Sequence, residues 1–315
     1  MTHPVVRLVV VAVTLAVAGA CRRAPASDYE AGKMSWTRYS LPIVELSGLA
    51  LATGPSGPEL YAVGDEEAIL VRVPWRIPLD PAAAERIALP VPTDDGGSQL
   101  EAVAVDGGGV VYVLDEERAL VHALTVDGRT ATLRHTFSLR VPRDHPLHKR
   151  WEKKENKRGE GLVILPGGHL LIAKQADPVA LIEFGPAGEA AEGVTEVREA
   201  RPTLPGGATS ELVPLAVWTP DEATADRFET LSDLARAPGG GLYVVSSKPD
   251  PAFGRIRLPL PASGGSFAVA AQYAIPDAPT GKAEALVIAP AAEPAVIGFD
   301  TKGGGPNLVV SSPLP

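Results

Sequence analysis

Cysteine is nearly missing from this chain, which has only one, Cys21, in 315 residues. A single cysteine excludes a disulfide within the chain, so packing alone must hold the fold together. No group of histidines and cysteines has the spacing of a zinc site. Basic residues are also outnumbered, and the net charge of −9 argues against nucleic acid as a partner, because phosphate backbones attract basic surfaces.

The motifs of several familiar enzyme classes are missing as well. The sequence has no G-x-S-x-G nucleophile elbow, no H-E-x-x-H zinc motif and no phosphate-binding P-loop. The six histidines do not group with a serine in a recognisable order. No heptads and no long stretches of helical period stand out.

The N-terminus has the pattern of a secretory signal. Arg7 is followed by an apolar run from Leu8 to Ala20, which is too short for a comfortable membrane span. The small residues before Cys21 resemble the lipobox of bacterial lipoproteins. This resemblance implies cleavage before Cys21 and lipidation of its sulfur and new amino group by acyl chains such as palmitate, which would anchor the protein stably. A plain secretory signal with a chance cysteine is the alternative.

Three segments of the chain follow from this reading. We expect residues 1–20 to be the signal peptide, residues 21–34 to be the lipidated cysteine with a flexible tether, and residues 35–315 to be one domain. The expected location is the bacterial cell envelope, lipid-anchored to a membrane and facing the periplasm or the outside. We expect a monomer.

The most informative stretch runs from Glu155 to Phe184. Three apolar runs, GEGLVIL, HLLIAK and VALIEF, are separated by turn residues, which is typical of an antiparallel meander. Two polar residues interrupt this pattern, because Glu160 opens the first run and Lys174 closes the second.

The same layout recurs in four other places. Each copy has a small or acidic opener, an apolar strand, a Gly/Pro turn, a second apolar strand with a polar end, and a third strand. The openers lie about 50 to 70 residues apart, in the upper part of the range for propeller blades. The other four copies begin at Ser47, Glu101, Ser232 and Glu284.

Five copies predict an all-β fold, a single five-bladed β-propeller. The last copy has room for three strands, so we expect residues 35–45 to supply its outer strand and to close the ring. The outer strand of the first blade is predicted at residues 87–92, and an insertion in the third blade at residues 188–209. A six-bladed ring is the alternative, if the insertion conceals a degenerate blade.

Several segments together resemble the SdiA-regulated family of bacterial β-propellers and are similar to the esterase-like phytase group. The resemblance covers most of residues 45–310 and implies a propeller without a settled activity; some members are associated with calcium. Ala285 stands where glycine is more usual. The segments are ENKRGEGL (155–162), LLIAKQADPVALIEF (170–184), LSDLARAPGGGLYVVSSKPD (231–250), KAEALVIA (282–289) and IGFDTK (297–302).

The recurring polar residues should meet at one mouth of the channel, because the first strand of each blade lines it. The second strands end in polar residues, mostly fourteen positions after the opener, which suggests that both sets lie near the same mouth. The predicted ring consists of Ser47, Glu101, Glu160, Asp233 and Glu284 from the first strands, and of Asp65, Asp115, Lys174, Ser247 and Asp300 from the second.

So many carboxylates would repel one another unless a cation lay among them, and calcium fits a ligand set made only of oxygen atoms. We expect no other cofactor. The alternative is that each acid hydrogen-bonds the backbone of the next blade and acts as a latch. The candidate calcium ligands are Glu101, Asp115, Glu160, Asp233, Glu284 and Asp300, and the further ligand-binding candidates are Asp65, Arg158, Lys174, Ser247 and Lys302.

The segment from His145 to Arg158 is the one basic patch of the chain. It reads either as a solvated loop or as a site that captures an anion above the mouth, and we favour the loop.

Two classes of function remain open. The first is a membrane-anchored, extracytoplasmic propeller lipoprotein that binds a small molecule or a protein partner at the channel mouth, with or without calcium. The second is a calcium-dependent phosphoesterase or lactone hydrolase, in which calcium polarises the substrate and a carboxylate acts as base. We favour the first, non-enzymatic class, because no positioned pair of base and nucleophile can be named.

Overall fold

The computed structural model describes residues 34–54, 57–93, 97–153, 157–196, 198–275, 281–290, 294–302 and 305–314. The predicted signal peptide, Cys21, the tether up to residue 33 and Asn156 lie outside the described residues. The described part is nearly all β, which confirms the prediction of an all-β chain. None of its helices has the length and hydropathy needed to cross a bilayer.

The strands of the first half of the described chain are β1 Trp36–Tyr39, β2 Leu46–Gly54, β3 Gly57–Gly64, β4 Ile69–Pro74, β5 Glu85–Ala88, β6 Leu100–Val105, β7 Val111–Asp115, β8 Leu120–Asp127, β9 Thr130–Leu139, β10 Gly161–Ile164 and β11 Leu170–Lys174. Those of the second half are β12 Ala180–Gly185, β13 Thr209–Pro220, β14 Asp233–Arg236, β15 Leu242–Ser246, β16 Ala252–Ile256, β17 Gly265–Phe267, β18 Val269–Ala274, β19 Lys282–Ile288, β20 Pro294–Asp300 and β21 Leu308–Pro313. The helical segments are α1 His148–Lys153, α2 Glu222–Ala225 and a 3-10 turn at Pro81–Ala83.

These strands group into five consecutive antiparallel meanders of four strands each. The first four meanders are β2-β3-β4-β5, β6-β7-β8-β9, β10-β11-β12-β13 and β14-β15-β16-β18. The fifth combines β19, β20 and β21 with the N-terminal β1. A parallel pairing of β9 with β13 joins the second and third meanders into one larger sheet, to which β17 adds along β13.

The first strands of the meanders, which we call the inner strands, pack against one another in cyclic order. Strand β2 contacts β6, β6 contacts β10, β10 contacts β14, β14 contacts β19, and β19 contacts β2. A Cβ atom on Gly48 would lie 2.8 Å from the Cα atom of Ala102, and one on Gly161 would overlap the backbone nitrogen of Leu234. Glycine therefore follows the opener in SGL and EGL because a side chain has no room there.

Apolar side chains fill each interface between neighbouring meanders. One cluster joins the second and third meanders around Leu114, Trp151 and Phe184, and another joins the third and fourth around Trp218 and Phe228. Three more clusters fill the other interfaces in the same way. Both faces of each sheet are thus covered, which is why β7, β11 and β15 are buried at every position and are apolar without alternation up to their polar last residue. The architecture is propeller-like.

The N-terminal segment is attached to the last strand. Strand β1 pairs with β21 in antiparallel register, with Trp36 opposite Ser311. Beyond β1, the buried side chain of Asn307 holds the chain by three hydrogen bonds. Its Oδ1 accepts from the NH of Leu41 at 2.8 Å, and its Nδ2 donates to the carbonyl oxygens of Leu41 and Ile43 at 3.1 and 3.0 Å.

Two local predictions were wrong. The outer strand of the first meander is β5, so residues 89–92 lie outside it; Pro90 and Pro92 have no NH to donate to a neighbouring strand. The basic segment from His145 to Arg158 is not only a loop, because it contains α1. Trp151 of this helix is buried, with its ring 5.4 Å from that of Phe184.

The insertion of the third meander crosses the turns at which the inner strands end. Its described residues, 186–196 and 198–208, form no strand. Val194 bridges to Leu260 of the fourth meander, and the carbonyl oxygen of Ala200 accepts from the NH of Gly107 in the second at 2.7 Å. This end of the inner strands is therefore covered by chain.

We expect Asn307→Ala to lower the free energy of unfolding by about 2 to 4 kcal/mol, because it leaves buried backbone groups of residues 41–43 without partners. Urea denaturation measures this change. Ser263→Ala, at an exposed turn, is the matched control and should change stability by less than about 0.5 kcal/mol. Equal effects of the two substitutions would show that Asn307 does not hold the N-terminal segment.

Candidate functional site

Six carboxylates converge at the opposite end, where the inner strands begin. Three come from the starts of inner strands and three from the ends of the strands paired with them. Three of the side chains are buried and three are partly exposed. We call this set the acidic mouth, and its members are Asp65, Glu101, Glu116, Glu160, Glu284 and Asp300.

Irregular backbone places the openers at the acidic mouth. The pairing of the inner strand with the following strand skips one residue in each of β2, β6 and β19. The skipped residues are Ser47, Glu101 and Glu284. Glu160 directly precedes β10, and its NH donates to the carbonyl oxygen of Ala173. A bulge turns a side chain out of the strand's alternation. The recurring opener is thus the residue at which the inner strand leaves regular pairing.

Mutual repulsion links the openers. Burial raises the pKa of Glu101 and of Glu160 well above the usual range, and the charge of Glu116 is the next cause for both. The pKa of Glu284 is also raised by burial, while the ammonium of Lys282 opposes the shift. Each opener therefore costs free energy when it ionises in the folded protein.

Asp65 and Glu116, at the ends of β3 and β7, belong to the same network. Burial and the charge of Glu45 raise the pKa of Asp65 to about 7. Burial raises the pKa of Glu116 to about 8, although the backbone NH groups of Arg158 and Gly159 favour its ionised form. Glu116 was not among the predicted residues. It follows the predicted Asp115 directly, so the repeat spacing pointed to its neighbour.

Three oxygen atoms of the acidic mouth are buried and accept no hydrogen bond from the described residues. They are Oε1 of Glu116, Oε2 of Glu284 and Oδ1 of Asp65. Glu116 is 4% exposed, and Glu284 is 7% exposed. Buried polar atoms without partners are rare in folded proteins, and they mark places where a ligand or an ion could supply the missing interaction.

Two cationic side chains beside the mouth bind backbone carbonyls. The Nζ atom of the fully buried Lys174 donates to the carbonyl oxygens of Lys157 and Ala176, at 2.6 Å each. The guanidinium of Arg158 donates to the carbonyl oxygens of Trp151 and Glu117, at 2.9 and 2.6 Å. These bonds fix the segment after α1 against the second and third meanders.

Lys282 is the cation that approaches a carboxylate of the mouth from solvent. Its Nζ atom lies 3.6 Å from Oε1 of Glu284, and its side chain is 64% exposed. The pKa of Lys282 is raised, chiefly by the charge of Glu284. An ammonium group is therefore already attracted to this site.

Two predicted calcium ligands are used elsewhere. Asp233 accepts from the NH of Leu234 at 2.7 Å and from the NH of Leu286 at 2.8 Å, so it joins the fourth meander to the fifth. This is the latch arrangement. Asp115 accepts from the backbone NH and the guanidinium of Arg118, at 2.9 Å each, within its own turn.

The last two predicted ligand-binding residues lie beside the acidic mouth. Ser247 follows β15 and is half-buried, and Lys302 follows β20 and is exposed. The NH of Lys302 donates to Oδ1 of Asp300 at 3.0 Å.

The acidic mouth offers calcium the right donor atoms but not a formed coordination shell. Oxygen ligands of one calcium ion lie within about 5 Å of one another. No three carboxylates of the mouth have oxygen atoms within 4.8 Å of one another, and among the described residues only His169, Glu183 and Glu192 form such a group. The arrangement therefore does not fit calcium as it stands, and the calcium site remains a prediction.

The group around His169 works as an anchor for the insertion. Its Nδ1 lies 2.6 Å from Oε1 of Glu183, and its Nε2 lies 3.0 Å from Oε2 of Glu189. The hydrogen bond with Glu183 raises the pKa of His169 to about 9, so the ring is a cation that donates from both nitrogen atoms. Glu183 also accepts from the NH groups of Glu192 and Gly193, at 2.6 and 3.0 Å. The ligand atoms of His169, Glu183 and Glu192 also lie close enough together to hold one metal ion.

No family model matches the chain, and no curated protein matches it. Its similarity to the SdiA-regulated family therefore remains a prediction. Glutaminyl cyclase from Myxococcus xanthus is a solved structure with a similar arrangement, at 12% identity and a TM-score of 0.49, covering 88% of this chain and 94% of that one. The PQQ-bound aldose sugar dehydrogenase from Streptomyces coelicolor has 15% identity and a TM-score of 0.46, covering 89% and 98%. Virginiamycin B lyase from Staphylococcus aureus has 11% identity and a TM-score of 0.41, covering 90% and 89%. Similarities at this level assign no function to the chain.

The acidic mouth should make stability fall as the pH rises. Because the pKa values of Asp65 and Glu116 are raised to about 7 and about 8, the folded state binds more protons than the unfolded state above about pH 4. The free energy of unfolding contributed by these groups is therefore fully present at low pH. It is lost progressively up to about pH 8.

We expect Glu116→Gln to be more stable than the wild type by about 1 to 3 kcal/mol at pH 8 and equally stable near pH 4.5. Urea denaturation at several pH values in a chelating buffer measures the difference. Glu229→Gln, at an exposed position, should follow the wild-type profile. A Glu116→Gln profile parallel to that of the wild type would mean that Glu116 ionises freely.

Proposed function

We propose that this chain is a lipid-anchored, five-bladed β-propeller of the bacterial cell envelope whose acidic mouth binds a cationic ligand. The observation that carries the proposal is the convergence of six carboxylates from the first, second, third and fifth meanders, with buried oxygen atoms on Glu116 and Glu284 that accept no hydrogen bond. A cation at this place would relieve their repulsion and supply the missing interactions.

The contrast with Asp233 supports binding over a purely structural role. Asp233 uses one oxygen for each of two backbone NH groups and thus satisfies both. Glu116 and Glu284 each keep one buried oxygen without a partner among the described residues. A latch has no need of such an oxygen, because leaving it unpaired costs free energy.

Five blades are supported by the cyclic contacts of the inner strands and by the pairing of β1 with β21. A sixth blade would need strands in the insertion, and its described residues form none. In this arrangement the N-terminal strand closes the ring, and the acidic mouth opens at the end away from the insertion.

An ammonium group suits the acidic mouth better than a bare metal ion. The carboxylates are spread over four meanders and do not form a compact shell. Lys282 already brings an ammonium group to 3.6 Å from Glu284. A ligand with one or more amines could contact several carboxylates at once without drawing them together.

Calorimetry of the full chain in a non-ionic detergent, with calcium and with spermidine as probes, tests this function. We expect binding of at least one probe, weakened at least about tenfold in Glu160→Gln and in Glu284→Gln and unchanged in Glu229→Gln. If neither probe gives heat or raises the melting temperature at pH 8, the acidic mouth does not bind cations and the proposed function is wrong.

The hydrolase remains the second candidate, with the same residues in different roles. Hydrolysis of a phosphate monoester or a lactone by the calcium-loaded protein, lost in Glu160→Gln, would favour it. We place it second because no three carboxylates of the acidic mouth are arranged to hold calcium.

The lipid anchor is tested separately. We expect Cys21→Ser to abolish incorporation of labelled palmitate and to move the protein out of the membrane fraction, because the acyl chains provide the attachment. Ser263→Ala, at an exposed turn and with Cys21 in place, should stay in the membrane fraction. Membrane association that survives Cys21→Ser would indicate a plain secretory signal and another mode of attachment.

A further inference from the structure

We propose a second binding site at the other end of the inner strands, where Arg236 and the apolar walls around it bind a small monocarboxylate with an apolar tail. This site is distinct from the acidic mouth. It lies beneath the insertion, at the end of β14.

A cavity of about 420 Å³ lies between the insertion and the turns of the first, fourth and fifth meanders. It adjoins a smaller void of about 60 Å³ lined by the inner strands, and Arg236, Leu51 and Val287 line both. Ile288 adds to the apolar wall. The lining also includes four charged side chains, those of Glu196, Arg198, Glu199 and Arg236. A cavity of this size with an apolar wall beside charged groups can hold a small amphipathic ligand.

Arg236 is the charged group that both spaces share. Its side chain is half-buried, and among the described residues it makes no hydrogen bond and no ion pair within 4.0 Å. Burial lowers its pKa, while the charge of Glu199 opposes the shift. A guanidinium withdrawn from water without a partner is costly, and a carboxylate that binds it through two parallel hydrogen bonds relieves that cost.

The neighbouring charges select a singly charged anion. Glu196 and Arg198 of the insertion pair with each other at 3.0 Å and so neutralise one another. Glu199 attracts Arg236 from a distance and repels any anion that approaches it. A ligand with one negative charge meets less repulsion than a phosphate or a dicarboxylate, and its apolar tail can contact Leu51, Val287 and Ile288.

Calorimetry of the full chain in a non-ionic detergent tests the site, with hexanoate as the probe. Acetate has the same charge without the tail, and hexanol has the tail without the charge. We expect hexanoate to bind with a dissociation constant between about 0.1 and 10 mM, and both comparison compounds to bind at least about tenfold more weakly.

Three variants assign the binding to Arg236. Arg236→Gln should weaken hexanoate binding at least about tenfold, and Glu199→Gln should strengthen it about twofold to fivefold, because it removes a competing charge. Arg198→Gln, with an exposed and already paired side chain, is the matched control and should change the affinity less than about twofold.

Two results would overturn the proposal: no hexanoate binding in either the wild type or Glu199→Gln, or undiminished binding in Arg236→Gln. If Arg236→Gln does not fold, Arg236→Lys keeps the charge but loses the paired hydrogen bonds, so an unchanged affinity in Arg236→Lys would equally contradict it. Methyl NMR signals of Leu51, Val287 and Ile288 should move with hexanoate; shifts confined to other methyl groups would place the ligand elsewhere and sink the site.

Discussion

The close approach of the inner strands is the constraint on which the rest of the structure depends. Gly48 and Gly161 let neighbouring inner strands pack nearly backbone against backbone, and the strands behind them bury apolar side chains on both faces. Such packing leaves no room for charged side chains along the middle of the inner strands. Charged side chains therefore lie at the two ends of the inner strands, and the two ends differ in their charged groups and in their access to solvent.

At the end where the inner strands begin, bulges and strand termini bring together more carboxylates than the neighbouring cations neutralise. Asp115 and Asp233 find partners in their own turn or on the next strand. Glu116 and Glu284 each keep a buried oxygen that no described residue contacts by a hydrogen bond. The resulting repulsion favours protonation or a bound cation, and this links the stability of the fold to the occupancy of the site.

At the other end, the insertion covers the turns of the inner strands and shields them from solvent. His169 fastens it to the third meander through Glu183 and Glu189, and the bond between Gly107 and Ala200 ties it to the second. It leaves beneath it a cavity with one half-buried guanidinium, that of Arg236. The two ends thus differ in charge: carboxylates gather at one, whereas at the other Glu196 and Glu199 balance Arg198 and Arg236, and Arg236 has no partner among the described residues.

The repeat of openers, apolar runs and turns was enough to predict an all-β chain and the positions of most strands. It also predicted an N-terminal strand within residues 35–45, and the strand that pairs with β21 is Trp36–Tyr39. These features are local, because apolar runs and turn residues determine strands independently of distant contacts. The outer strand of the first meander was misplaced because apolar Leu89 and Val91 outweighed Pro90 and Pro92 in the prediction.

The acidic mouth was only partly predictable. Glu101, Glu160 and Glu284 were identified by their place in the repeat. Glu116 was missed because the spacing of the repeat does not show which way a side chain points after the end of a strand. Asn307, His169 and Arg236 carry no pattern at all. Their roles come from chain segments far apart in sequence, and only tertiary packing brings those segments within hydrogen-bonding distance or folds an insertion over a cavity. The sequence by itself thus determined which residues could form strands and where charge would recur, and the tertiary structure decided which of those charges find partners.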